Sequence, residues 1–491
     1  MMPTVELLIA WAIIGQKKAF VTMVDAYKLA MAQAGFPMRE ETFVLCFRKG
    51  GPYFNPFNLE ALVQAFLPQA VSSKEAAFMT ANGYSMTPAM EKALTMSVKV
   101  VAAPKGTWIA AGTPVLTVTG PSFLVSWLEH FMIMLQYPIQ IATAIQNGVL
   151  KFTVTCDDEA TLVKQVGYAM GIDEANLLGE RLTITKDTEG YLDRVRTNVR
   201  AVKEALKGEA FRAFEVGLRA ATCMQQHLMV LEVCREIGIT KTSNVYGAWL
   251  LYRIPVGTTG HEHQMRWGGL KADDRHGYRA IRDMRPEPPS YLFDTTDPMN
   301  KGIPAALEVI AEDPTRPCSM RFDSGDQDAQ FLAIKSGCDA LGIKNYPTLP
   351  FEDSYTAEKT AKNEAFCDMH GYPKEKRLYG FGGFFVSKPA LTPYNRDVAS
   401  AAYKLSCTAG RAVMKFSGSP GKESIPGKPV VLQAPSAVDE VIYVIAQQGE
   451  VIMGHTAPKP LYFKPTKITV LRSLATQALV DQITAAVKGT K

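Results

Sequence analysis

The sequence predicts an α/β protein in which a parallel sheet, open or closed into a barrel, is covered by helices and flanked by parts of mixed texture. Between about residues 150 and 405, short apolar strands (IPVGTT, SMRFDS, KRLYGFGG) alternate with helical stretches, as a helix-wrapped parallel sheet requires. Residues 151–171 and 181–206 each read strand, acidic turn, helix, like a duplicated βα unit. Residues 98–121 and 406–491 are richer in β-branched residues punctuated by Gly and Pro, which predicts small strands outside that sheet.

In chain order, residues 18–35 place Phe20, Met23, Val24, Tyr27, Leu29 and Met31 at helical spacing, with Gly35 as the stop. Glu41–Arg48 reads as a strand, and the Gly, Pro and Asn of 49–58 as a loop. Phe123–Ile145 carries a long apolar helical pattern that encloses Glu129 and His130. The chain closes with a helix from Ser473 to Lys488. These textures divide it into 1–150, 151–405 (with a segment inserted at about 146–210) and 406–491.

Composition narrows the function class. A chain of 491 residues, 47% hydrophobic and 21% charged, is neither disordered nor fibrous. The net charge of +5 comes without a Lys/Arg run, so no nucleic-acid partner is expected, and a small basic excess suits an anionic ligand. Eight cysteines without a CxxC pair point to reduced thiols and a cytoplasmic protein. Val5–Gly15 is apolar, but it contains Glu6, is short for a membrane span and lacks a basic leader, so neither membrane insertion nor a signal peptide is expected.

Chemistry-bearing residues gather where strands should end, the usual ligand position in α/β proteins. After IPVGTTG come His261, Glu262 and His263. Either His261 and His263 ligate a metal, with His276 or His227 completing the set, or His261 is a nucleophile or acid/base whose tautomer Glu262 holds. In MRFDSGD, Asp323 and Asp326 suit hydroxyls, a metal ion or a developing cation, and otherwise an Asx turn. In YGFGGFF, Gly380, Gly382 and Gly383 let backbone N–H groups approach an anion. Arg219 suits a carboxylate or phosphate, and Lys415, Lys422 and Lys428 form either an anion-binding loop or a soluble one.

Taken in order, these pieces resemble the nicotinate and nicotinamide phosphoribosyltransferase family over nearly the whole chain. VDAYKLAMAQ (24–33), CFRKGGPYFNPF (46–57), TPVLTVTGP (113–121), VGLRA (216–220), KTSNVYGA (241–248), GTTGH (257–261), MRFDSGD, YGFGGFFV (379–386) and YKLSCTAGRAVMKFS (403–417) follow the family's own succession. The resemblance implies an irregular (β/α) barrel of the type II phosphoribosyltransferase kind, with a flanking α/β domain built from both chain ends. It implies an enzyme that joins nicotinate to phosphoribosyl pyrophosphate, with ATP as co-substrate and Mg²⁺, working as a homodimer. His261 then matches the histidine that ATP phosphorylates, Asp323 stabilises the ribosyl cation and Asp353 is a weaker match to a ribose-binding carboxylate. Gly382 and Gly383 cradle the 5′-phosphate, Arg219 sits beside the pyridine ring, and Tyr27 stacks on it from the neighbouring subunit. Ser243 stands where nicotinamide-using relatives carry Asp, which favours the acid. The second Arg of the family's FGxRR is Ala220 here, and the alanine of GTxAH is Gly260. No residues are assigned to a metal. The competing readings are a nicotinamide-preferring enzyme, a metal-dependent barrel hydrolase and a non-catalytic binding protein.

Overall fold

The computed structural model describes residues 3–68, 70–172, 181–269, 273–389, 392–416, 423–437, 439–461 and 463–488. Seven short parallel strands organise it: β1 (Ala213–Glu215), β2 (Lys241–Thr242), β3 (Ile254–Pro255), β4 (Ser290–Leu292), β5 (Ser319–Arg321), β6 (Leu349–Phe351) and β7 (Arg377–Phe381). Hydrogen-bonded ladders give the order β3-β2-β1-β7-β6, and a second ladder joins β4 to β5. Parallel bridges Ser319↔Thr348 and Phe322↔Phe351 link β5 to β6 and make one arc of all seven. Its outer strands approach each other where the Thr259 hydroxyl donates to the Ser290 carbonyl at 3.0 Å, with no ladder between β3 and β4 among the described residues.

Side-chain alternation along these strands decides what faces inward. Ser319 and Arg321 of β5, Pro350 of β6 and Leu378 of β7 face a common cavity. The alternate residues face the helix layer, where Phe322 stacks on Phe351 at 4.5 Å and Phe351 on Tyr379 at 5.5 Å. Residues of six strands or their ends line that one cavity, so the arc must curl around it.

The flanking sheet is antiparallel and draws on both chain ends. Its spatial order is Arg411–Ala412, Ala402–Thr408, Glu40–Cys46, Pro114–Pro121, Lys99–Ala102. A further sheet of Pro429–Ala434, Glu440–Gln447 and Lys467–Arg472 is tied to the N-terminal part where Tyr443 donates to the Trp108 carbonyl at 2.6 Å.

Several elements differ from expectation. The helix sought over 18–35 is only Ala26–Gln33 (α1), because Asp25 is extended and bridges to Asn244 instead of starting another turn. The 49–58 loop contains a strand, Tyr53–Asn55, paired with Thr107–Ile109. The long apolar helix is three buried pieces, Ser122–Trp127, Glu129–Met134 and Gln136–Gln146, broken at Leu128 and Leu135. Val5–Ile14 is a buried core helix whose Glu6 carboxylate accepts from the Asn58 backbone at 3.1 Å.

The βα repeat exists as read. Lys151–Val154 and Thr183–Lys186 pair in parallel, and each leads into a helix, Asp157–Ala169 and Thr188–Ala205. Two further helices matter below, α2 (His261–Trp267) and α3 (Asp274–Asp283), and α4 (Leu474–Lys488) is the last. All eight cysteines are free thiols. Among the described residues, no helix is long and apolar enough to cross a membrane.

Candidate active site

Each parallel strand delivers site residues at its C-terminal end. Arg219 follows β1, Ser243 β2, the 257–261 turn β3, Asp294 and Thr295 β4, Asp323 β5, Glu352 and Asp353 β6, and Gly382 and Gly383 β7. The curled strands enclose a cavity of 160 Å³ walled by Asp25, Tyr27, Arg219, Ser243, Arg321 and Glu352. A smaller pocket of 50 Å³ shares Tyr27, Arg219 and Arg321 with it and adds His261, Asp323, Glu129 and Lys404.

Helix α1 reaches the cavity because glycine lets it. A Cβ on Gly257 would stand 2.5 Å from the Tyr27 backbone nitrogen and 2.9 Å from the Ala26 carbonyl carbon, an approach that a side chain would forbid. Backbone bonds from Ala26 N to Ser243 O (2.8 Å) and from Val245 N to Val24 O (3.0 Å) fix the junction. The chain's own Tyr27 therefore enters its own cavity. Its hydroxyl donates to Glu129, and the Arg219 guanidinium lies 5.8 Å from its ring centre.

Arg219 holds no tight partner. Its acid contacts are long, 3.5 Å to Asp25 and 3.6 Å to Glu129, and its buried Nε has no hydrogen-bond partner among the described residues. Ser243 donates to Asp25 Oδ1 at 2.6 Å. Burial raises the Asp25 pKa against the pull of Arg219. Glu352, 2.9 Å from Arg321, is pushed up to about 7 by burial, again against the neighbouring arginine.

His261 opens α2 and meets two acids and a cation. Its Nδ1 lies 3.2 Å from Thr295 Oγ1, and its Nε2 lies 3.1 Å from Asp323 Oδ2 and 2.7 Å from Lys415 Nζ. One nitrogen cannot both accept from the lysine and donate to the carboxylate. With the proton on Nδ1 and given to Thr295, Nε2 carries the lone pair that Lys415 meets. Burial and then the Lys415 charge lower the His261 pKa, while Asp294 and Asp323 pull it upward. Burial acts to raise the Asp323 pKa, but Arg321 at 2.6 Å and His261 outweigh it and hold the carboxyl well below the usual range.

Ligand atoms of His261, Asp294 and Asp323 lie within 4.8 Å of one another, and Asp294 Oδ1, buried, has no hydrogen-bond partner among the described residues. Two carboxylates with an unmet oxygen fit a hard cation such as Mg²⁺. These are the residues the structure offers a metal, where the sequence reading had assigned none.

Other expectations are corrected. Glu262 does not hold the His261 tautomer: the next residue on a helix faces elsewhere, and Glu262 bonds Lys28 at 2.8 Å and Ser126. His263 turns to the Gly277 carbonyl at 2.9 Å, His227 to Glu215 at 2.9 Å, and His276 is exposed on α3, so they do not join His261 around a metal. Asp353 is partly exposed, with φ of 76°, and the acid that lines the cavity from this strand end is its neighbour Glu352. Asp326 caps the following helix by accepting from Ala329 N at 3.1 Å. Gly382 and Gly383 join β7 to a short helix, Gly383–Val386, and line neither cavity. Lys428 pairs with Glu40 at 2.9 Å, and Lys422 lies outside the described residues.

Sequence reasoning missed Asp294, Arg321, Glu352 and Lys404. Asp294, in FDTTD, has the same strand-then-acid signal that singled out Asp323. Lys404, pressed to about 8 by burial despite Glu129 at 3.5 Å, gave no sequence signal of its own.

No protein-family model and no curated protein matches this chain. Solved structures do. The nicotinate phosphoribosyltransferase of Vibrio cholerae is 16% identical with a TM-score of 0.60, over 84% of this chain and 92% of that one. The Porphyromonas gingivalis enzyme of that name is 16% identical at 0.59, over 82% and 95%. A putative nicotinate phosphoribosyltransferase from Saccharomyces cerevisiae is also 16% identical at 0.59, over 83% and 95%. At this identity the likeness is one of fold, and it agrees with the expected architecture.

Proposed function

We propose that the chain is an enzyme of NAD salvage that transfers the phosphoribosyl group of phosphoribosyl pyrophosphate to nicotinate, forming nicotinate mononucleotide and pyrophosphate. ATP is consumed through a phosphohistidine at His261. The observation that carries the reading is the stand of His261, Asp294 and Asp323 beside a cavity walled by Tyr27, Arg219 and Ser243.

The pyridine nitrogen attacks C1 of the ribose as the bond from C1 to pyrophosphate breaks. Positive charge grows on the ribose, and Asp323, held ionised, stabilises it electrostatically. Tyr27 offers a flat face to the pyridine ring, and Arg219, without a tight acid partner, takes the nicotinate carboxylate. Lys404 and Lys415 offset the charge of the leaving pyrophosphate. Mg²⁺, held by Asp294 and Asp323, would add to that neutralisation. His261 Nε2 attacks the γ-phosphorus of ATP as the bond to the leaving ADP breaks, its one ring proton staying on Nδ1 and donated to Thr295, while Lys415 pairs with the phosphoryl oxygens. Water later cleaves the phosphohistidine to phosphate and free His261. The resemblance also carries a homodimer into the reading, which light scattering tests.

One observation favours a nicotinamide-using relative instead. The Ser243 proton is committed to Asp25, and that carboxylate stands where it can accept from a carboxamide NH₂. The deciding experiment supplies phosphoribosyl pyrophosphate, Mg²⁺ and either base, with and without ATP. Mononucleotide from nicotinate, stimulated by ATP and no longer stimulated in His261→Ala, supports the proposal. Turnover of nicotinamide alone supports the second reading, and no product from either base overturns both.

A further inference from the structure

Glu129 opens the buried helix Glu129–Met134 and lines the smaller cavity of the site, yet no step above uses it. Its side chain is 4% exposed, and groups from three elements converge on it. The two carboxylate oxygens are used differently. Oε2 accepts from the Tyr27 hydroxyl and, at 2.8 Å, from Lys28 Nζ, both on α1. Lys28 is itself held at 2.8 Å by Glu262 of α2, so the clamp on Oε2 is fixed from behind. Oε1 faces two cations at longer range, Arg219 Nη1 at 3.6 Å and Lys404 Nζ at 3.5 Å. A settled N–H···O bond spans roughly 2.7–3.2 Å, so both cations are attracted without being committed.

An acid this close also governs charge. Burial acts to raise the Glu129 pKa, but Lys28, Lys404 and Arg219 outweigh it and hold the carboxyl well below its usual range. Around Lys404, burial and then the charges of Lys415, Arg219 and Arg48 press the pKa down, and Glu129 opposes them. Glu423 lines a further cavity that Lys404 also borders. We propose that Glu129 is a positioning residue, its clamped carboxylate keeping Arg219 and Lys404 in place and Lys404 charged until anionic ligands take both cations. The transfer of each cation to a ligand breaks no short bond, and α1 keeps Oε2 throughout. Which anions arrive rests on the phosphoribosyl reading above, whereas the hold of Glu129 on Lys404 does not.

The first test therefore uses no ligand. Competitive acylation of the full chain across pH, read by peptide mass spectrometry, follows Lys404 alone, whose side chain is 24% exposed to the reagent. Glu129→Gln keeps an acceptor for Tyr27 and drops the charge. It is expected to move the Lys404 titration down by about one pH unit or more. An unmoved titration in the folded variant overturns the proposal. If Glu129→Gln does not fold, Glu129→Asp, which draws the charge back from Lys404, decides by the same shift.

Calorimetric binding of inorganic pyrophosphate supplies the second readout. Its fall with rising pH is expected to begin about one pH unit lower in Glu129→Gln. Lys404→Arg stays charged without help, so in that background Glu129→Gln is expected to leave the profile where it was. An equal shift in both backgrounds assigns the titration to another group and overturns the proposal. If the unaltered chain binds no pyrophosphate, the phosphoribosyl reading fails, and the acylation result still decides for or against Glu129.

Discussion

Lys415 and His261, 154 residues apart, meet head to head, with Nζ 2.7 Å from Nε2. The ammonium disfavours a second proton on the ring, adding to the effect of burial. Lys415→Met is therefore expected to raise the His261 pKa toward its ordinary 6.5, as Asp294 and Asp323 then act with less opposition. Titration of the ring proton signals by NMR checks this, and a fall contradicts the arrangement.

Glu352 sets a pH dependence for an anionic ligand. With its pKa pushed up to about 7, it is neutral below that pH and charged above, where it adds repulsion in the cavity and occupies Arg321. The KM for nicotinate is expected to rise above pH 7, with one coupled proton limiting the slope to about tenfold per pH unit. Glu352→Gln should flatten the profile, and nicotinamide should not show it. A profile unchanged in Glu352→Gln assigns the titration elsewhere.

Gly257 holds the door for α1. Gly257→Ala places a methyl against the Tyr27 and Ala26 backbone and should displace α1 at a cost of about 1–3 kcal/mol. Thermal melting reads the stability loss, and KM for the pyridine base should rise more than KM for phosphoribosyl pyrophosphate.

The inserted segment buttresses the glycine turn. From Thr188–Ala205, Tyr191 donates to the Val386 carbonyl (2.7 Å), Arg194 to Ser387 (2.6 Å) and Asn198 to Phe384 (2.7 Å). Each bond is worth about 1 kcal/mol. Because the turn lines neither cavity, Asn198→Ala is expected to lower thermal stability by about 1 kcal/mol and to leave the KM for phosphoribosyl pyrophosphate and for the pyridine base unchanged. A rise in the KM for phosphoribosyl pyrophosphate alone would place the turn in the site.

How much of this was legible depends on the range of the interactions. His261 and Asp323 were found because a strand followed by Gly, Ser or Thr is a local pattern and strand ends converge in a curled parallel sheet, whereas Ser243 was singled out only through the family resemblance. Arg321 escaped because its sequence signal is that of any charged residue. Only the fold reveals that it bonds Asp323, Glu352 and the Thr259 carbonyl at once. The tasks of Glu262 and Asp353 were misread because helix phase and loop backbone decide where a carboxylate points.

The strand Glu40–Cys46 is flanked by Pro114–Pro121 on one side and Ala402–Thr408 on the other. A ribosome makes the first two early and the third only after some 280 further residues. Until then one edge of Glu40–Cys46 stays unpaired, open to any other extended segment nearby. Lys404 and Lys415 arrive with that last strand or just after it, long after Arg219 and Arg321. A nascent chain that has not yet reached the strand thus carries His261 and Asp323 without the two lysines that stand beside them in the folded protein.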